Sequence, residues 1–190
     1  LPTGIDKDGN DRTAVCCLSS LNLEKYDEWK DDPDMIGDVM RFLDNVLSDF
    51  INKAPEQFKD AKYSAERERS VGLGVMGFHS FLQKKRIPLE SVMAKSWNKK
   101  IFKNIHEKVN QASKDLADER GACPDAAEYG FQERFSNKTA IAPTASISII
   151  CGGASTPGAA ETLFGFCAAQ DPCQAGGAEE VPQLQTPSVL

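Results

Sequence analysis

Between Asp32 and Phe50 the apolar residues Ile36, Val39, Met40, Leu43, Val46, Leu47 and Phe50 return at the three-and-four spacing that lines one face of an α-helix. Asp32 followed by Pro33 offers an N-cap and a first helical residue for it. The same period returns after Ser91, through Trp97, Ile101, Ile105, Val109, Ala112 and Leu116 to Arg120, with Gly121 as a C-terminal cap and Pro124 beyond. Two long amphipathic helices are therefore predicted. The charged run from Gln57 to Arg69 predicts another, and Met76 to Lys85 a further one that Pro88 stops. Two runs read differently. Thr13 to Leu23 (TAVCCLSSLNL) and Val71 to Val75 are short and β-rich, as buried strands are. Helices alternating with such strands make an α/β protein.

The polar opening LPTGIDKDGNDR reads as a surface turn. Its acids resemble a calcium loop, but the glycine comes too early and no glutamate closes it. His106 falls within the second long helix and reads as a solvated side chain. After Gly152 the pattern fails: no Lys or Arg occurs, Ala, Gly, Pro and Gln dominate, and no apolar period is sustained. Such a stretch buries too little surface to offset its ordering entropy, so a disordered tail is expected.

Composition narrows the function. The chain has 190 residues, 41% hydrophobic and 26% charged, the balance of a soluble globular protein of one domain or of part of a larger one. It begins with Leu1, as a processed or truncated piece would. No apolar run approaches the roughly 20 residues that cross a bilayer, and no signal peptide opens the chain, so no membrane partner and a cytoplasmic location are expected. A net charge of −6 leaves no broad basic surface for nucleic acid. Any anion must be held locally.

Three stretches bear on chemistry. Gly72, Gly74 and Gly77 have the G-x-G-x-x-G spacing of a dinucleotide loop, but the run before them, YSAERERS, is too charged to be the buried strand that such a loop follows, and no acid stands about 20 residues on. A strand whose glycines admit a close neighbour is the plainer reading. The six cysteines include no C-x-x-C pair, and both histidines lie far from them in sequence, which argues against zinc. Cys123 and Cys151 read as ordinary reduced thiols, whereas Cys16 and Cys17 are adjacent, so in a strand only one can face a given cavity. In KTAIAPTASISIICGG a strand-like start breaks at Pro143, and the small residues Thr144, Ser146 and Ser148 follow. A helix starting there would offer free N–H groups to an anion; an ordinary strand-to-helix turn is the alternative.

Taken in order, AVCCLSSLNL, RSVGLGVMGFHSFLQKKRIPLES, NKKIF, ERGACPDAAEYG and AIAPTASISIICGG resemble the C-terminal half of the catalytic domain of class I ribonucleotide reductase large subunits. The likeness covers residues 1–155, taken as a partial catalytic barrel domain, and leaves 156–190 as a non-homologous tail. It implies a fold, an incomplete second half of a ten-stranded α/β barrel built from two parallel five-stranded halves. It also implies an activity, the radical-based reduction of ribonucleoside diphosphates to deoxyribonucleoside diphosphates for DNA synthesis.

Site residues follow from the same resemblance. The family pattern C-x-L-S-x-x-N-L, here Cys16 to Leu23, makes Cys16 one partner of the redox-active disulfide and puts Cys17 at the variable position. Thr144, Ala145, Ser146 and Ile147 match the substrate-diphosphate loop. The family's radical cysteine and its first reducing cysteine belong to sequence ahead of Leu1, so the piece alone is expected to be inactive. Cys167 and Cys173 are spaced one residue too widely for the family's C-terminal pair, and that role is not expected of them. No metal and no cofactor is expected in this segment: the metal-radical cofactor sits in a small partner subunit, thioredoxin or glutaredoxin is the reductant, and large subunits form homodimers. Two readings compete. One is a nicotinamide-dependent oxidoreductase on Gly72–Gly77, the other a non-catalytic fragment that docks through the long helix.

Overall fold

The computed structural model describes residues 3–152. A hairpin opens it, β1 (Gly4–Ile5) paired antiparallel with β2 (Asp11–Arg12). Then come β3 (Leu18–Asn22), a 3₁₀ turn at Leu23–Lys25, the short α1 (Tyr26–Trp29) and α2 (Met35–Lys53). A second 3₁₀ turn at Glu56–Phe58 leads to α3 (Lys59–Glu68), β4 (Gly72–Met76) and α4 (Phe78–Lys84). The long α5 (Val92–Arg120), α6 (Pro124–Glu128) and α7 (Ala145–Ile150) complete it.

The parallel pair β3 and β4 is the centre, in register from Leu18 opposite Gly72 to Asn22 opposite Met76. Three helices separate them in sequence, as a parallel crossover requires. A third extended segment lies along the other edge of β4: Val71 N–H donates to Asn137 C=O at 3.0 Å, Leu73 N–H to Lys138 C=O at 3.0 Å, and Ala140 N–H to Leu73 C=O at 3.3 Å. With a neighbour on each edge, all five residues of β4 are buried. The expectation of two strands sharing one sheet in an α/β arrangement holds. Among the described residues the sheet does not close into a barrel.

Leu21, Leu73 and Val75 project from one face of this sheet onto α2 and α5, whose Ile36, Met40, Leu43, Leu47, Ile101, Ile105, Val109 and Leu116 form the core. Each such side chain contributes about 1.5–3 kcal/mol of burial. The apolar stripe of the long helix is thus consumed within the fold, which removes the basis for a docking face. Ser91 caps that helix, its hydroxyl accepting from Ala94 N–H at 3.1 Å, and Gly121 ends it. His106 is half-buried and hydrogen-bonded to Asn110 at 2.8 Å, not merely solvated.

Boundaries shift where side chains compete with the backbone. Strand β3 begins at Leu18 instead of Thr13: the ladder opens with Gly72 N–H on Cys17 C=O, and ahead of it Thr13 N–H turns aside to Asp60 C=O. Helix α2 begins at Met35 because the Asp32 carboxylate takes the N–H groups of Asp34 and Met35, leaving Pro33 outside the helix. Helix α4 starts two residues after Met76, since Gly77 sits at φ +84° between β4 and the helix.

The apolar stripe of α2 also rotates. Val46 is exposed, and fully buried Asp44 takes a place in the core instead. Its oxygens accept from Arg69 (2.7 Å), Arg134 (2.9 Å) and Arg120 (2.8 Å). Arg69 ends α3 in the left-handed region at φ 44°, a conformation that costs a non-glycine residue about 1–3 kcal/mol. Its guanidinium on Asp44 offsets that strain.

Candidate functional site

The vicinal cysteines lie just ahead of β3 and differ in burial. Cys17 is buried against α2, with its Sγ 3.7 Å from Leu43 C=O, and burial pushes its thiol pKa up. Cys17 C=O accepts from Gly72 N–H at 2.8 Å, so the β3 ladder already runs through it. Cys16 is exposed, and continuing the alternation of β3 two residues ahead of Leu18 assigns it to the face of Leu18 and Ser20. One thiol is kept protonated and inaccessible while its neighbour is free. Cys123 is buried and Cys151 exposed; all four described cysteines are free thiols.

Glycine shapes the face that Cys16 shares. A Cβ placed on Gly74 would lie 2.1 Å from Ala140 O, and one on Gly72 would lie 2.4 Å from Leu18 Cδ2 and 2.8 Å from Ala140 Cβ. These residues have no side chain because the backbone at 140–141 crosses directly over them. Gly72 and Gly74 lie inside the strand, not on a turn beyond its end, and the charged run before them is helix α3. The dinucleotide-loop reading is therefore overturned.

The segment that crosses Gly74 continues into the anion candidate. Thr144 stands at φ 55°, 7% exposed, and begins α7. Its Oγ1 is buried without a hydrogen-bond partner among the described residues. Ala145, Ser146 and Ile147 form the exposed first turn, whose N–H groups have no intrahelical acceptor. Ser148 is turned inward, its hydroxyl donating to Ala145 C=O at 2.8 Å. Ala140, which lies over Gly72 and Gly74, stands four residues before Thr144.

Two further features escaped the sequence reading. Ser20, on the face of Cys16, has a buried Oγ with no partner among the described residues. Arg12, four residues before Cys16, is clamped to Asp125 through two hydrogen bonds (2.6 and 3.0 Å) and to Asp6 at 3.3 Å. Asp6 holds the opening turn through the N–H groups of Asn10 and Asp8, and those bonds, together with Tyr63 and Arg12, bring its carboxyl down to about 2. A lone arginine or serine in a polar run carries no pattern that would single it out.

The family model described as ribonucleotide reductase, barrel domain, matches residues 5–133. The chain belongs to that family. It is 52% identical over 144 residues to the ribonucleoside-diphosphate reductase large subunit of Invertebrate iridescent virus 6, covering 76% of this chain and 15% of that protein. A putative large subunit of Frog virus 3 is 43% identical over 155 residues, 80% of this chain and 26% of its own length. Among solved structures, the class Id ribonucleotide reductase alpha subunit of Actinobacillus ureae superposes with a TM-score of 0.70 at 42% identity, covering 75% of this chain and 27% of that one. The chain spans only about a sixth to a quarter of the length of these relatives.

Membership of the ribonucleotide reductase family accounts for the open sheet, since a barrel domain needs more strands than the described residues hold. Cys16 lies within the matched residues and Thr144–Ile147 beyond them. The tail expected from residue 156 lies outside the described residues, as does the pair Cys167 and Cys173. No helix among the described residues is long and apolar enough to cross a membrane.

Proposed function

We propose that this chain forms the second half of the active-site barrel of a class I ribonucleoside-diphosphate reductase large subunit, which makes deoxyribonucleoside diphosphates for DNA synthesis. The observation that carries this reading is the division of the vicinal pair, with Cys16 exposed on the glycine face and Cys17 sealed against α2. On this reading Cys16 and a cysteine from another part of the barrel are oxidised to a disulfide. Their two electrons and two protons replace the ribose 2′ hydroxyl by hydrogen and release its oxygen as water.

The substrate diphosphate rests on the first-turn N–H groups of Ala145, Ser146 and Ile147, with the unpartnered Thr144 hydroxyl as a further donor. A buried hydroxyl without a partner costs about 1–3 kcal/mol, which a phosphate oxygen would recover. Gly72 and Gly74 let the 140–141 backbone lie close over the sheet on its way to this loop, and the apolar Leu18 helps to exclude water. The remaining parts follow the family: a small subunit that carries the metal-radical cofactor, thioredoxin or glutaredoxin to restore the thiols, a homodimer of large subunits, and a cytoplasmic setting.

A chimaera tests the proposal. Residues 3–152 replace the corresponding segment of the Frog virus 3 large subunit, and deoxyribonucleotide formation is followed with its small subunit and a thiol reductant. Sustained turnover that Cys16→Ser abolishes and Cys17→Ser largely preserves is the expected result. Loss of activity from Cys17→Ser alone, with Cys16→Ser tolerated, would refute the assignment.

A further inference from the structure

Glu68, the last residue of α3, is 1% exposed and forms no ion pair among the described residues. Its Oε2 lies 3.1 Å from Ser70 Oγ, which lies 2.9 Å from Ser136 Oγ and accepts from Asn137 Nδ2 at 3.0 Å. The backbone repeats the connection, since Ser136 N–H donates to Glu68 C=O at 3.0 Å and Val71 N–H to Asn137 C=O at 3.0 Å. One buried carboxyl therefore sits where α3 passes into β4 and where the 136–141 segment is fastened to that strand. The same segment runs on to Thr144.

The surrounding charges are committed elsewhere. On β2 Arg12 holds Asp125 of α6; on α3 itself Arg67 holds Asp125 and Glu128, and Arg69 holds Asp44. On the segment Arg134 also holds Asp44, and Lys138 pairs with Glu133. Nothing in this set neutralises an ionised Glu68 at contact distance, and burial favours its neutral form over the weaker pull of Ser70, of the N-terminal amine and of Arg12.

Each serine hydroxyl has one proton to donate, so the protonation state of Glu68 sets the direction of the whole chain. A neutral Glu68 can donate to Ser70, which frees the Ser70 proton for Ser136. An ionised Glu68 takes the Ser70 proton, so Ser136 must turn its own proton back toward Ser70. The carboxylate is then left buried with a single neutral donor, and its nearest route to water is displacement of the half-exposed segment.

We propose that Glu68 is a proton-operated latch, holding the segment that carries the 144–147 loop on β4 while neutral and loosening it when ionised. The latch is a property of this fold and stands whether or not the loop binds a nucleotide diphosphate.

Amide hydrogen exchange on the full chain, wild type against Glu68→Gln, at pH 5 and pH 8, tests it. Glutamine keeps the shape, can donate to Ser70 and cannot ionise, so dividing the two proteins' rates removes the intrinsic pH effect. In the wild type the amides of Val71, Leu73, Ser136 and Ala140 should lose protection at pH 8 relative to the variant, about tenfold for each unit by which the folded carboxyl lies above the unfolded one. The amides of α5 should not respond. Equal pH responses in the two proteins would overturn the latch. The infrared band of a protonated carboxylic acid, read in the wild type alone, covers a poorly folding variant: the band should persist to higher pH in the folded chain than in the denatured one, and its loss at the same pH in both would overturn the proposal as well.

Discussion

Replacing Asp44 by asparagine removes the single negative charge on which three arginines converge. The side chain of Asp44 is fully buried, those of Arg69 and Arg134 are 10% and 11% exposed, and that of Arg120 is 28% exposed. Asparagine fits the space, but its amide group adds donors facing donors and leaves two nearly buried guanidinium groups uncompensated. Breaking a buried pair in this way costs about 3–5 kcal/mol. At roughly 2–4 °C per kcal/mol for a chain of this size, thermal unfolding should fall by about 6–20 °C. Arg120→Ala, which removes the most exposed of the three partners, should cost no more than about 1 kcal/mol.

The pH dependence has a definite sign. Burial alone would raise the Asp44 carboxyl, and the hydrogen bonds and field of Arg134 and Arg69 outweigh it, so the folded carboxyl lies below its ordinary value of 3.8. Its contribution is present above that ordinary value and is lost as pH falls through the depressed folded one. Melting curves of wild type and Asp44→Asn should therefore be far apart at neutral pH and draw together in strong acid. A difference below about 1 kcal/mol at pH 7 would show that the cluster is not held by charge, and the reasoning would fail.

Two glycines should respond to alanine with opposite signs. Gly74→Ala drives a Cβ into Ala140 O and should prevent stable folding or lower the melting point sharply, whereas Gly37→Ala, in α2 with open space around it, should raise stability by about 0.5–1 kcal/mol. Brief alkylation with peptide mapping should label Cys16 and Cys151 while Cys17 and Cys123 stay unlabelled until denaturant is added; early labelling of Cys17 would contradict its burial. Titration of the chimaeric enzyme with a ribonucleoside diphosphate should show Ser146→Ala weakening binding by about 1 kcal/mol and Ser146→Pro, which removes a backbone donor, by more. Equal effects would argue against a backbone cradle.

The two long helices were legible because their apolar residues recur at helical spacing, and α5 shows its start after Ser91, its stripe and its C-terminal glycine as read. The parallel pairing of β3 and β4 followed from the family likeness and not from the residues, since about 50 positions separate the strands and nothing local records their register. Asp44 was missed because one acid in an apolar stripe looks like a break in the pattern until its partners, 25 to 90 residues away, are in place. Glu68 was missed for the opposite reason. In the run ERERS it looks like one more solvated charge, and only the packing of Ser136 and Asn137 over it removes the water.

The backbone crossing at Gly72 and Gly74 sets a rule for assembly. A side chain at position 72 or 74 would occupy the volume that Ala140 takes, so the two glycines act as a key for the 137–141 segment. The path of the chain into the loop at 144–147 therefore depends on two positions of β4 that carry no side chain at all.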